Sequence, residues 1–211
     1  RAELTIVHTR LLVAAIVVAS ALPAQDAPPA AAPSAAERRL AARNAGRYDD
    51  TFRRYSKRYF GAGFDWRYFK AQGLAESGLD PLARSRVGAR GVMQLMPATY
   101  RIIQTRRPEF GPIDDPEWNI AAGIMHDRYL WKLWSASISE PERPAFMFAS
   151  YNAGEGTIAR ARKEARERAT DATAWSHIEQ VAPTVPRWRY RETLGYVRKI
   201  DQYYGRLRDL R

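Results

Sequence analysis

The stretch from Phe69 to Pro97, FKAQGLAESGLDPLARSRVGARGVMQLMP, most constrains what this chain folds into: it ends a helix on a carboxylate and follows it with a glycine-punctuated loop. Trp66, Phe69, Gly73 and Leu74 recur at helical spacing, which predicts a helix with Asp65 as its N-cap. Gly78 and Pro81 stop that helix, so Glu76 falls in its last turn. The carbonyl end of a helix carries partial negative charge, so an ionised Glu is disfavoured there, and burial would raise its pKa further. A carboxyl group kept protonated near neutral pH is a general acid. Ser85, Gly88, Gly91, Met93, Gln94, Met96 and Pro97 then form a loop and an apolar, amide-bearing turn directly after the acid, with Pro97 suited to the first turn of a new helix.

Three further segments join this one in a fixed order. Asn119 and Gly123 form an Asn-x-x-x-Gly spacing, Ala149 to Gly154 reads Ala-Ser-Tyr-Asn-Ala-Gly, and Glu192-Thr193 is followed by Tyr196-Val197. Together with Glu76-Ser77, Ser85 and Gly88 through Pro97, they make the region from Asp65 to Tyr204 resemble the lytic transglycosylase family with a goose-lysozyme-like catalytic domain. The lead-in resembles the catalytic module of that family's membrane-bound F type. The resemblance implies an all-α, lysozyme-like domain that cleaves the β-1,4 bond between N-acetylmuramic acid and N-acetylglucosamine in peptidoglycan. It implies Glu76 as the catalytic acid, Ser85 and Gln94 as hydrogen-bonding groups for the sugar, and Met96 as a wall of the cleft. It places Tyr151 and Asn152 near Glu76, with Tyr151 orienting it, and gives Glu192 to sugar polar groups. Ser150 departs from the family's usual Ala and is expected to alter packing near Tyr151.

The remaining chain reads as helices. Phe52, Tyr55, Tyr59 and Phe60 recur at helical spacing before Gly61 and Gly63, and Tyr100 and Ile103 continue the pattern after Pro97. Pro116 fits the first position of another helix, whose apolar face runs through Trp118, Ala121, Ala122, Met125 and Tyr129 to Trp134. A helix from about Pro144 is interrupted at Gly154, Arg160 to Arg168 alternates charge like a solvated helix face, and a last helix spans about Tyr190 to Leu207. The expectation is about eight helices, with at most a short β element between Ser85 and Gly91.

Upstream, Arg10 precedes an apolar run from Leu11 to Leu22 with Ala19-Ser20-Ala21 as a cleavage site, which predicts a signal peptide over residues 1–21. At about a dozen residues the run is shorter than the ~20 needed to span a bilayer. An Ala/Pro-rich linker, expected to be disordered, follows over 22–34, and Ser34-x-x-Glu37 predicts a capping box opening a short helix. The catalytic domain with its N-terminal helical extension is then 35–211, and the product is expected in the periplasm or outside the cell, associated with the wall.

The chain carries 34 Lys and Arg against 23 Asp and Glu, so its surface attracts polyanions: nucleic acid, anionic lipid or wall polymer. The ordered motifs favour peptidoglycan glycan strands over nucleic acid, with basic charge available for wall or membrane-surface association. Cys is absent, which removes disulfides, thiolate nucleophiles and Cys-based zinc sites, and His8, His126 and His177 lack the paired spacing of metal ligands. No metal and no cofactor are implied, and His126 beside Asp127 reads as a surface or half-buried residue.

Glycoside hydrolysis by the common routes needs two carboxylates, ~5 Å apart in a retaining enzyme. The resemblance supplies one, which suffices where no outside water is activated: Glu76 protonates the glycosidic oxygen, then takes the proton from the substrate's own C6 hydroxyl as it attacks C1. That leaves a 1,6-anhydromuramyl end, the intramolecular nucleophile having a high effective concentration. Two alternatives stay open. A goose-type hydrolase would draw a second carboxylate from Asp80, Asp114 or Asp115, and a non-catalytic basic protein would bind wall polymer or nucleic acid by charge.

Overall fold

Proline and glycine punctuation fixes most helix boundaries in the computed structural model, which describes residues 46–209. The expected signal peptide, linker and capping-box helix lie outside the described residues. Among the described residues eight α-helices follow in order: α1 Asp49–Phe60, α2 Arg67–Ser77, α3 Pro97–Arg106, α4 Pro116–Trp134, α5 Arg143–Ala153, α6 Glu155–Glu167, α7 Trp175–Val181 and α8 Tyr190–Asp209. A 3₁₀ turn, Ala182–Thr184, links the last two. The predicted short β element consists of two isolated bridges, Arg84 to Arg90 and Arg90 to Leu95, and the fold class is all-α as expected.

Local chemistry accounts for the termini. Pro97 and Pro116 open α3 and α4, and Asp115 caps α4 by accepting from Glu117 N (2.8 Å) and Trp118 N (3.2 Å). The end of α2 closes when Leu79 N donates back to Gly73 O at 3.3 Å, a Schellman closure that fixes Glu76 one residue before the last helical position.

Packing brings the two ends of the sequence motif together. α2 lies against α8, α4 against α1 and α5, and α5 against α6 and α8, so the helix that carries Glu76 and the last helix form one wall. Phe52, Phe69, Phe146, Phe148, Ile120, Ile124 and Leu130 are fully buried between them, each apolar side chain contributing roughly 1.5–3 kcal/mol. Phe64 stacks on Phe69 and meets Trp131 edge-on, both at 5.2 Å between centroids, which braces α2 against α4.

One expectation is corrected. The charged run Arg160 to Arg168 is not wholly a solvated face, because Arg162 is buried: its Nε donates to Ala172 O (2.9 Å), an Nη donates to Ser137 Oγ (2.9 Å), and its guanidinium lies over Trp134. Ile158, Ala161 and Ala165 share its face and are also buried, so the apolar stripe draws the Arg inward.

Candidate active site

The centre of the site is the carboxyl of Glu76 in the last turn of α2. Tyr196 OH donates to its Oε1 at 2.6 Å from α8, across 120 residues of sequence. Although Glu76 is only half-buried by area, its carboxyl sits among enough protein atoms for burial to be the largest influence, pushing its pKa up to about 8. The Tyr196 hydrogen bond and the Lys199 ammonium pull the other way, while Glu192 adds to the rise. Lys199 Nζ also donates to Ala75 O at 3.2 Å, placing a cation on the carbonyl end of α2. Glu192, Tyr196 and Lys199 occupy positions i, i+4 and i+7 of α8 and so form one stripe facing the end of α2.

The loop after Glu76 is held from every side by side chains that take its backbone groups. Ser77 Oγ donates to Val92 O (2.8 Å), Tyr151 OH donates to Met93 O (2.8 Å), and Asn119 Oδ1 accepts from Met93 N (2.8 Å). Asn119 Nδ2 donates to Arg90 O and Ile113 O, and Gln94 Nε2 donates to Gly91 O (2.9 Å) and Ala83 O (3.2 Å). These bonds hold Gln94 at φ 45°, a left-handed backbone that costs a non-glycine residue on the order of 1–3 kcal/mol. Two glycines are dictated by contact. A Cβ at Gly91 would stand 2.6 Å from Asn119 Nδ2, and one at Gly123 would stand 2.8 Å from Met93 Cβ, so the loop seats on α4 only because both lack side chains.

Of the residues the sequence singles out, Glu76, Gln94, Tyr151, Asn152 and Glu192 join this network. Asn152 Oδ1 accepts from Thr193 Oγ1 (2.8 Å), which in turn accepts from Trp188 Nε1 (3.0 Å), so the Asn152 amide is its remaining donor. Glu192 pairs with Arg189 at 3.0 Å, and burial raises its pKa against the pull of that guanidinium. Ser85 Oγ accepts from Ala89 N (2.9 Å) and closes its own turn, and Met96 stands half-buried at the start of α3.

Several expectations change. Tyr151 does not hydrogen-bond Glu76: it is fully buried with its hydroxyl donated to Met93 O, and Tyr196 is the phenol that bonds the Glu76 carboxyl. His126 is buried rather than a surface group, and burial lowers its pKa to about 4, keeping the ring neutral. Ser150 accepts from Trp134 Nε1 at 3.0 Å, which gives a buried indole its acceptor. The three aspartates considered as a second carboxylate are committed elsewhere: Asp80 caps Leu82 N, Asp114 pairs with Arg84 and Arg90, and Asp115 caps α4. Asp127, which the sequence reading passed over, is completely buried on α4 and hydrogen-bonded by Gln72. Its place on the stripe of Ile120, Ile124, Leu130 and Trp134 was the available signal. Among the described residues no group of three His, Cys, Asp or Glu side chains could hold a metal ion.

Comparison with known proteins adds the following. Residues 53–174 match the family model described as Transglycosylase SLT domain. The membrane-bound lytic murein transglycosylase F of Vibrio cholerae is 32% identical over 171 residues, covering 75% of this chain and 30% of the relative. The 70 kDa soluble lytic transglycosylase of Escherichia coli superposes with a TM-score of 0.61 at 28% identity, covering 80% of this chain and 25% of that one. An inactive mutant of lytic transglycosylase Slt from Pseudomonas aeruginosa superposes equally well at 25% identity, covering 80% and 25%. The chain thus spans about 30% of the curated relative's length.

Proposed function

The chain belongs to the Transglycosylase SLT domain family, and on that premise we propose that it is a peptidoglycan lytic transglycosylase acting through a single carboxyl, Glu76. The observation that carries the reading is a half-buried Glu with its pKa raised to about 8, held by one phenol at the end of a helix. At neutral pH such a group is protonated and delivers its proton to the glycosidic oxygen between N-acetylmuramic acid and N-acetylglucosamine. The C1–O4 bond breaks, and Glu76, now a carboxylate stabilised by Tyr196 and Lys199, accepts the C6 hydroxyl proton as O6 bonds to C1. Atoms balance without water, and the product carries a 1,6-anhydromuramyl end. Ser85, Asn152 and Glu192 would contact sugar polar groups and Met96 would line the cleft, while Gln94 and Tyr151, both buried and donating to carbonyls of the loop, hold it behind them. Export to the periplasm or cell exterior, with glycan strands as partner and basic charge assisting wall association, completes the proposal. It is supported by the signal-like segment at residues 1–21 and tested by N-terminal sequencing of exported protein.

Digestion of purified peptidoglycan in ¹⁸O water tests the reaction. Products lighter by one water than lysozyme products, with no label incorporated, are expected. The outcome that would replace this reading is hydrolysis, in which a second group activates water. Labelled oxygen at a reducing end would establish it.

A further inference from the structure

Gln72 and Asp127 are both completely buried, one on α2 and one on α4. Gln72 Nε2 donates to Asp127 Oδ1 at 3.3 Å. The other oxygen of each, Gln72 Oε1 and Asp127 Oδ2, is buried without a partner. Two orphaned buried acceptors on a hydrogen-bonded pair are costly, since an unpaired buried polar group loses on the order of 1–3 kcal/mol, and an unpaired buried carboxylate more. One proton removes both faults. Placed on Asp127 Oδ2, it turns that oxygen into a donor aimed at the same amide that already bonds Oδ1.

We propose that Asp127 is a neutral carboxylic acid whose Oδ2–H donates to Gln72 Oε1, closing a two-bond acid–amide ring, and that this pair positions the turn of α2 that carries Glu76. The surroundings agree. The titratable groups coupled to Asp127 are Glu76 from α2, Tyr151 from α5 and Tyr196 from α8, with no cation among them, and burial pushes its pKa well above the ordinary carboxylate value. His126, its neighbour in sequence, is itself neutral. Gln72 lies one turn before Glu76 on the same face of α2, so a ring fixing the Gln72 amide to α4 limits the rotation of that face about the helix axis. Neutrality matters as much as the link, because an Asp127 anion would drive the Glu76 pKa higher still and impair its release of a proton. Asp127 is therefore a positioning residue, and this role rests on the reading of Glu76 as the catalytic acid; the acid–amide ring does not.

The ring is tested first in a Glu76→Gln background, where activity plays no part. Difference infrared spectra with and without Asp127→Asn at neutral pH are expected to contain a protonated-carboxyl C=O band that the substitution removes. A carboxylate band in its place overturns the proposal. Melting temperature gives a second readout. A raised carboxyl pKa means that stability is complete below the unfolded pKa of about 3.9 and falls as pH rises above it, so the Asp127 protein should lose melting temperature relative to Asp127→Asn as pH rises above about 4. Parallel curves overturn it. For positioning, otherwise wild-type enzyme carrying Asp127→Leu should lose kcat by about tenfold with KM little changed, misplacement of a catalytic group being worth up to ~10²-fold. Asp127→Asn, which can form the same two hydrogen bonds, should rescue kcat and keep the alkaline limb of kcat/KM in place. A downward shift of that limb in Asp127→Asn would reveal a buried anion, and full kcat in Asp127→Leu would reject the positioning role.

Discussion

The two ends of α2 obey opposite rules. At the N-terminal end, Asp65 accepts from Arg67 N (3.0 Å), pairs with the Arg67 guanidinium and takes the hydroxyl of Tyr204 (3.1 Å), while Tyr68 and Tyr204 stack at 3.7 Å. An anion there meets the positive end of the helix and free N–H groups, so electrostatics and hydrogen bonding agree. Glu76 at the other end meets crowded carbonyls and protein atoms, and the compensation from Tyr196 and Lys199 falls short of restoring an ordinary pKa. The first carboxylate stabilises the fold, and the second is destabilised when ionised, which is what the proposed role of proton donor requires. Both ends face α8, so one helix supplies the partners of each.

Glu76→Gln breaks the comparison most severely. Turnover should fall by roughly 10²–10⁴-fold, the usual worth of general acid–base catalysis, measured as release of anhydromuropeptides. Stability should move the other way. The folded pKa of about 8 stands above the unfolded value near 4.5, so the wild type keeps its full contribution from Glu76 below pH 4.5 and loses it as pH rises to about 8. Gln has no proton to lose. The variant should therefore gain on the order of 1–3 kcal/mol over wild type at pH 8 and nothing at pH 4, the figure being discounted for the partial exposure of Glu76. Equal denaturant midpoints at both pH values would reject the account of this helix end.

Tyr196→Phe sharpens it. Removing a donor to the carboxylate disfavours the ionised form, so the Glu76 pKa should rise and the alkaline limb of kcat/KM should move above about pH 8. Looser orientation of the acid should lower kcat by about tenfold. Tyr151→Phe leaves the Glu76 hydrogen bond intact, so an identical pH shift in that variant would show that the phenols had been assigned wrongly.

That pair of tyrosines also marks what the sequence could and could not disclose. Helix ends were legible wherever punctuation sits beside an apolar stripe: Gly78, Pro97, Pro116 and Gly154 all fall within one residue of a boundary. Glu76 was legible for the same reason, since a stop signal alone puts it in a last turn. Which phenol reaches it was not, because Tyr151 and Tyr196 both sit in short polar-aromatic motifs and the choice depends on how α5 and α8 cross. The stripe of Glu192, Tyr196 and Lys199 was present in the sequence, but nothing local says which helix end it faces. Asp127 and Arg162 were missed because a charged residue type was given more weight than the buried stripe on which each lies.

The smallest effect belongs to the end of α2 that follows the rules. Asp65 stands two residues before the first helical residue rather than at the N-cap itself, which Trp66 occupies without a side-chain bond, yet it still satisfies Arg67 N. Asp65→Ala should cost about 1 kcal/mol, typical for loss of an N-terminal capping side chain, with the Tyr204 hydroxyl left to solvent because both groups are only part-buried. None of its bonds touches Glu76, so kcat and the alkaline limb should stay where they are. Stability by denaturant titration and activity measured on the same preparation decide the matter. If Asp65→Ala moves the pH profile, the two ends of α2 are coupled through the helix, and the division between a stabilising end and a reacting end fails.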